Sequence, residues 1–100
     1  MTRFAKATDR SQPGIVAALR AAGCVVIDMA HCGRGVPDLH VVRDGKMYWL
    51  ECKNPRTANS KAKDDRTDAE LKFATLVPTQ VVRTPDEALR AVGLITVETK

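Results

Sequence analysis

A chain of 100 residues, 44% of them hydrophobic, is long enough for one compact domain with a single core and too apolar for wholesale disorder. Its longest uncharged apolar stretch, residues 21–27, is far shorter than the ~20 residues that span a bilayer, and no basic segment precedes an apolar one at the N-terminus, so we expect a cytoplasmic protein without a membrane segment. The 16 Lys and Arg residues outnumber the 12 Asp and Glu residues, and the net charge of +4 slightly favours a polyanionic partner. The few aromatic residues argue against a surface that stacks successive bases.

The first third of the chain predicts a helix and a short strand. Residues 1–10 show no apolar periodicity and are expected to form a loose arm. Ser11 is a plausible N-cap, and apolar residues at helical spacing predict a helix over residues 12–22 that ends at Gly23. The apolar, β-branched run 24–27 predicts a short buried strand, and the two glycines within residues 30–36 predict a loop.

The middle of the chain predicts a β-hairpin followed by a basic loop. Two strands, residues 37–43 and 46–53, flank Asp44-Gly45, and Asp-Gly between two such runs is a strong signal for a two-residue hairpin loop. Residues 54–66 are polar and basic with nothing to bury, so we expect a flexible loop.

The last third predicts a helix, a strand and a second helix. Thr67 can cap a helix that runs to about residue 76, with Glu70 at the N3 position of a capping box and apolar positions at Leu71, Ala74 and either Phe73 or Leu76. Residues 80–84 predict a strand, residues 85–92 a helix closed by Gly93, and residues 94–97 an edge strand or a frayed end. The order α-β-β-β-α-β-α, without repeat or linker, predicts a single α/β domain over residues 1–100, one sheet with flanking helices.

The hairpin brings two carboxylates and a lysine together. Counting outward from Asp44-Gly45 places Asp38 directly opposite Glu51, where Cβ atoms lie only ~4.5–5.5 Å apart. Lys53 follows two residues later and points to the same face as Glu51. Facing carboxylates repel each other, and a hard divalent cation such as Mg²⁺ would relieve that repulsion. The alternative is a surface salt-bridge cluster that contributes little to stability.

The residues Gly35-Val36-Pro37-Asp38-Leu39, followed after a hairpin by Trp49-Leu50-Glu51-Cys52-Lys53, resemble the PD-(D/E)XK nuclease superfamily. The spacing and the segment from Thr67 to Phe73 are most similar to its VRR-NUC branch, particularly the small stand-alone proteins of phages and prophages. The resemblance extends from about residue 12 to residue 92. It implies a restriction-endonuclease-like fold with a mixed sheet and, for a phage or prophage protein, a bacterial host cell.

The resemblance also implies a role for each matching residue. Asp38 and Glu51 would be the metal-binding carboxylates, the main-chain carbonyl of Cys52 would complete the protein's share of the Mg²⁺ or Mn²⁺ ligands, and Lys53 would contact the attacking water. The chain departs from the family at two positions, since Gly14 stands where a glutamate is often found and Glu70 where many relatives have glutamine. Gln12 would be only a neutral substitute for the helix carboxylate.

Several basic residues could contact nucleic acid. Arg34 lies four residues before Asp38, close enough for a phosphate clamp, and the loop that leaves the sheet after Lys53 carries a group expected to contact backbone phosphates, namely Arg56, Lys61, Lys63 and Arg66.

Other candidate residues favour structural roles. His31 is expected to be an ordinary loop histidine, His40 a partly buried, hydrogen-bonded one, Trp49 a packing residue, and Met29 and Met47 core residues. The odd number of cysteines argues against a disulfide framework, and a zinc site of Cys24, His31, Cys32 and His40 lacks supporting spacing.

The sequence thus favours a Mg²⁺- or Mn²⁺-dependent DNA endonuclease. The resemblance further implies structure-selective cleavage of branched DNA, such as four-way junctions, by a homodimer, and a dimer would give a small subunit the two sites that two strands require. The alternative is a non-catalytic nucleic-acid- or protein-binding module on a degenerate nuclease fold, which the missing acid at Gly14 would favour.

Overall fold

The computed structural model describes residues 10–56 and 64–94. Three helices and four strands follow one another in the predicted order, with a short 3₁₀ turn at Ala30–Cys32. Their bounds are α1 Gln12–Ala21, β1 Val25–Asp28, β2 Leu39–Arg43, β3 Lys46–Cys52, α2 Asp68–Leu76, β4 Gln80–Val82 and α3 Pro85–Ala91. The chain is therefore a small α/β domain. None of the described helices is long and apolar enough to cross a membrane.

The four strands form one mixed sheet in the order β1-β2-β3-β4. Strands β1, β2 and β3 are antiparallel neighbours, and β4 pairs in parallel with β3. The hairpin register counted from Asp44-Gly45 is confirmed from Arg43↔Lys46 to Leu39↔Leu50. Both loop residues have positive φ, 51° at Asp44 and 77° at Gly45, as a type I′ turn requires.

The core lies on one face of the sheet, beneath α1 and α3. Leu39, Leu50 and Cys52 point to this face as predicted, and all three are fully buried. They pack with apolar residues of the two helices, including Ile15, Leu19, Ala88 and Val92. Burial of this face fixes the register, because a one-residue slip would turn these side chains to the other side of the sheet.

The opposite face of β1–β3 is largely uncovered. Val25 is 59% exposed, Ile27 46% and Met47 69%. The expectations that β1 is a buried strand and that Met47 is a core residue are therefore wrong. Alternation places these side chains opposite the face that α1 and α3 cover.

The ends of several elements differ from the predictions. Strand β2 begins at Leu39 rather than at Pro37, which has no N–H for a ladder. The Asp38 carbonyl still accepts a hydrogen bond from the Met29 N–H of the neighbouring segment at 2.7 Å. Strand β4 ends at Val82, and β1 begins one residue later than predicted. Residues 1–9, 57–63 and 95–97, which carry most of the predicted arm, part of the loop and the possible last strand, lie outside the described residues.

The prediction that Ser11 caps α1 with its side chain is wrong. Ser11 has helical dihedral angles, and its hydroxyl does not cap the helix. Its Oγ instead donates a hydrogen bond to the Lys53 carbonyl at 2.8 Å, while the Arg10 N–H donates to Asn54 Oδ1 at 2.8 Å. The start of α1 is thereby attached to the end of β3, beside the predicted site.

Candidate active site

Asp38 and Glu51 meet at the end of the hairpin, as the register predicts. Both are buried, at 5% and 2% exposure. Asp38 lies one residue before β2, and its Oδ2 accepts a hydrogen bond from the Cys52 N–H at 2.8 Å. The carboxyl of Glu51 is hydrogen-bonded to that of Asp38. Burial excludes the reading of this pair as a solvated surface cluster.

Lys53 points to the same side as Glu51, as strand alternation predicts. Its Nζ lies 3.8 Å from Glu51 Oε2, and the lysine side chain is 13% exposed. Asp38, Glu51 and Lys53 therefore converge at one end of the sheet, at the point where β3 gives way to the loop.

Glu70 is a fourth member of the cluster, which the sequence indicated as a helix cap and as a departure from the family that the chain resembles. The predicted capping box is confirmed: Thr67 Oγ1 accepts from the Glu70 N–H at 3.1 Å, and the Thr67 N–H donates to Glu70 Oε1 at 2.9 Å. The same oxygen accepts a hydrogen bond from Lys53 Nζ at 3.0 Å. Glu70 is 4% exposed and is also hydrogen-bonded to Glu51.

The two glutamates titrate in opposite directions. Burial, followed by the charge and hydrogen bond of Asp38, raises the pKa of Glu51 to about 9. Burial also acts to raise the pKa of Glu70, but hydrogen bonds from the Thr67 N–H, the Lys53 ammonium and Glu51 lower it to about 2. At neutral pH the apo cluster thus holds a proton on Glu51, whose hydrogen-bond partners are Asp38 and Glu70.

This proton indicates how the cluster would respond to a cation. Three acidic side chains face one ammonium, so the site carries an excess of negative charge that the apo protein reduces by protonating Glu51. A divalent cation at Asp38 and Glu51 would take over that role. Throughout the described ranges, no group of three or more His, Cys, Asp or Glu side chains is arranged to hold a metal ion.

Helix α1 contributes Gln12 rather than residue 14 to the buried end of the domain. Gln12 is 3% exposed, and its buried Oε1 has no hydrogen-bond partner among the described residues. Gly14 is exposed, and a Cβ at this position would lie 3.8 Å from Pro85 Cγ of α3, which is an ordinary contact. The position at which the resemblance places a helix acid is therefore directed toward α3.

The predicted DNA contacts fall into three groups. Arg56 and Arg66 line an open groove of about 610 Å³ along β4 and α3, together with Arg83 and Arg90. Arg34 is exposed and lies beside α2, next to Ala69 and Phe73. Lys61 and Lys63 lie outside the described residues.

The described ends of the basic loop are tied down rather than free. Arg66 binds the Asp64 carboxylate through two nitrogens, at 2.6 and 2.9 Å. Arg83 binds the Asp65 carboxylate at 2.8 and 2.9 Å and the Asn54 carbonyl at 2.9 Å. The contacts of these described ends are therefore ion pairs and hydrogen bonds rather than apolar packing.

The remaining candidates have structural surroundings. His40 stacks on Trp49 with 4.3 Å between ring centroids, and Trp49 also contacts the edge of Phe73. The packing role of Trp49 is thus confirmed. Within the part of the chain that the structure describes, the buried Nε2 of His40 has no partner, so the expected hydrogen bond is absent at this atom. Cys24 and Cys52 are buried thiols and Cys32 is an exposed one.

Comparison with known proteins finds no matching family model, no matching curated protein and no matching solved structure. Function is therefore inferred from the geometry of the site.

Proposed function

We propose that this protein is a divalent-metal-dependent DNA endonuclease with a restriction-endonuclease-like fold, which hydrolyses phosphodiester bonds in branched DNA such as four-way junctions. The observation that carries the proposal is the buried pair Asp38 and Glu51, hydrogen-bonded to each other beside the Lys53 ammonium. A chain selected only for stability gains little from two buried acids in contact, because each raises the cost of ionising the other. The resemblance to VRR-NUC proteins supports the same reading.

The donor set suits Mg²⁺ or Mn²⁺ in kind. Asp38 and Glu51 would supply carboxylate oxygens, and Mg²⁺ is commonly bound by one or two carboxylates with water and substrate phosphate. The N–H of Cys52 points toward Asp38, and in an extended strand the carbonyl of the same residue points to the same side, which supports Cys52 as the third donor. A bound cation would polarise the phosphate and lower the pKa of an attacking water.

The residues of the chain then have distinct tasks. Asp38 and Glu51 would hold the cation, and through it would fix the position of the scissile phosphate relative to the protein. The Lys53 ammonium, which can only donate hydrogen bonds, is placed to orient the water or to stabilise negative charge on the phosphoryl oxygens. Water adds to phosphorus, the P–O bond to the leaving oxygen breaks, and the products are a phosphate monoester and a hydroxyl.

The arginine-lined groove supports DNA as the substrate. Arg66 lies near enough to the cluster that the charges of Glu51 and Glu70 help to raise the pKa of its guanidinium, after the larger effect of its Asp64 hydrogen bonds. Arginines on phosphates position a duplex without reading its sequence. The groove would therefore guide a strand past the cluster with little sequence preference.

We further propose that the protein acts as a homodimer through the uncovered face of β1–β3. Glu51 lies on this same face, at the end where the cluster sits, but the rest of the face carries no Lys, Arg, Asp or Glu. Its alternate residues are Val25, Ile27, His40, Val42, Met47 and Trp49. This part of the face has no Lys or Arg to contact phosphates, whereas a two-fold interface brings each patch against itself and therefore disfavours like charges. A second copy supplies an equally uncharged sheet face, and two sheets pack face to face about 10 Å apart.

An assay with defined DNA structures tests the activity. Labelled four-way-junction, duplex and single-stranded DNA are incubated with the protein in Mg²⁺, in Mn²⁺ and in EDTA. We expect cleavage of the junction with either metal and none with EDTA. Tight binding of DNA without cleavage in any metal would instead identify a binding module on a degenerate fold.

A further inference from the structure

Lys53 is held by a carboxylate that comes from another element. Of the ion pairs that Lys53 forms with Glu70 and Glu51, the shorter is with Glu70 of α2, with Nζ and Oε1 3.0 Å apart, and the longer is with Glu51, at 3.8 Å. Glu70 is itself fixed, because the Thr67 N–H donates to the same Oε1. The negative charge lies in the first turn of α2, where the helix dipole also favours it.

Helix α2 has little apolar attachment to the sheet. Glu70 is its buried residue, Leu71, Phe73 and Ala74 are half-buried, and Leu76 is 77% exposed. The predicted apolar stripe thus faces the sheet only in part, through the edge contact of Phe73 with Trp49. The capping carboxylate of α2, rather than its apolar residues, is the group that reaches deepest into the domain.

A lysine at this position needs an anchor. Its ammonium is a compact charge on a flexible four-carbon chain, and holding one rotamer costs conformational entropy. We propose that Glu70 is a positioning residue, which holds the Lys53 ammonium beside Glu51 in the orientation that the attacking water or the phosphate requires. This role rests on the proposed nuclease function and adds to it a residue that does not itself touch the substrate.

A purely structural role for the same contact makes a different prediction. If Glu70 only attached α2 to the sheet, two substitutions that destabilise the start of α2 equally would lower turnover equally, whichever residue is changed. Two substitutions separate these roles. Glu70→Gln keeps an amide oxygen for the Thr67 N–H but removes the negative charge that faces the Lys53 ammonium. Thr67→Ala removes the capping hydroxyl and leaves the carboxylate–ammonium pair in place.

The experiment compares these variants with the wild type by three measurements. The first is the side-chain ¹H–¹⁵N resonance of the Lys53 ammonium, which is assigned by its loss in Lys53→Met. The second is kcat and KM for junction cleavage together with Mn²⁺ affinity by calorimetry, and the third is the melting temperature. We expect Glu70→Gln to abolish the ammonium resonance and to lower kcat by about 10- to 100-fold, with KM and Mn²⁺ affinity changed less than about threefold. Thr67→Ala should lower the melting temperature, keep the resonance and change kcat less than about threefold.

Two results would overturn the proposal. One is an ammonium resonance in Glu70→Gln that is as protected as in the wild type. The other is an equal fall in kcat for Glu70→Gln and Thr67→Ala at equal loss of melting temperature. A wild-type protein that cleaves no DNA would contradict the nuclease function and any catalytic purpose of the contact, while the resonance would still decide whether Glu70 holds Lys53.

Discussion

At the scale of single residues, the site is a chain of hydrogen bonds from Asp38 through Glu51 to Glu70 and on to Lys53. Glu51 lies in the middle and has a pKa of about 9, against 4.5 for an ordinary glutamate. A group whose folded pKa is raised binds its proton more tightly in the folded state than in the unfolded chain. Protonation of Glu51 therefore stabilises the apo protein.

This linkage predicts how stability depends on pH. Between about pH 5 and pH 9 the folded protein keeps the Glu51 proton that the unfolded chain has released, so the free energy of unfolding falls as the pH rises through this window. Glu51→Gln cannot ionise and should flatten the slope, with a melting temperature at pH 8 that equals or exceeds that of the wild type. Denaturation at five pH values in EDTA measures both slopes. Identical slopes in the two proteins would show that Glu51 is ionised in the apo state.

At the scale of elements, the parts of the site that could be predicted are those that a local sequence signal specifies. Asp44-Gly45 specifies the hairpin, and the hairpin alone brings Asp38 to Glu51, so this half of the site follows from counting. Glu70 could not be found in this way, because its contact with Lys53 joins residues 17 apart and depends on how α2 docks. The capping box gave the helix start but carried no information about its tertiary contact.

The same limit applies to the exposed face and to the first helix. Alternation shows that Met47 and Leu50 point to opposite sides of β3, but not that helices cover only one of them. Serine is a common N-cap residue, but the hydroxyl of Ser11 donates its hydrogen bond to the Lys53 carbonyl, which is distant in sequence, instead of capping the helix. Residue type thus predicted the surroundings of these side chains less well than the Asp-Gly turn predicted the hairpin register, which needs no tertiary information.

Gly35, in the loop before Asp38, packs closely against the first turn of α2. A Cβ at Gly35 would overlap the Ala69 carbonyl group and approach the Glu70 nitrogen to 2.9 Å, and φ at Gly35 is 80°. Gly33→Ala is a matched control, since φ at Gly33 is 68° and nothing lies within 4 Å of its Cβ position. We expect Gly35→Ala to destabilise the protein by about 1–3 kcal/mol more than Gly33→Ala, which is the usual cost of overpacking. Chemical denaturation measures the difference, and equal losses would mean that α2 adjusts freely.

At the scale of the whole molecule, the sheet has one face packed by α1 and α3 and one face that α2 covers only near Trp49. The uncharged remainder is the proposed dimer interface. Met47→Glu places a charge at its most exposed apolar side chain, and in a two-fold interface the charge meets uncharged surface or its own copy. We expect light scattering to give twice the chain mass for the wild type and a single chain mass for Met47→Glu.

Ala21→Glu is the control for this experiment, because Ala21 is exposed at the end of α1 and lies outside the uncovered face. The variant should keep the dimer mass. A monomeric wild type at about 100 µM, well above the concentration at which a specific interface forms, would contradict the dimer, as would a Met47→Glu protein that stays dimeric.

The central claim is that Asp38, Glu51 and Lys53 form a metal-dependent nuclease site. The most direct test is the single-turnover rate of four-way-junction cleavage in Mn²⁺ by the wild type and by Glu51→Gln, a substitution that removes a ligand charge while preserving side-chain size and, by the linkage above, apo stability. We expect cleavage by the wild type that EDTA abolishes, and a rate lower by at least about 100-fold in Glu51→Gln at an unchanged or higher melting temperature. Equal rates in the two proteins, or cleavage that persists in EDTA, would contradict the assignment.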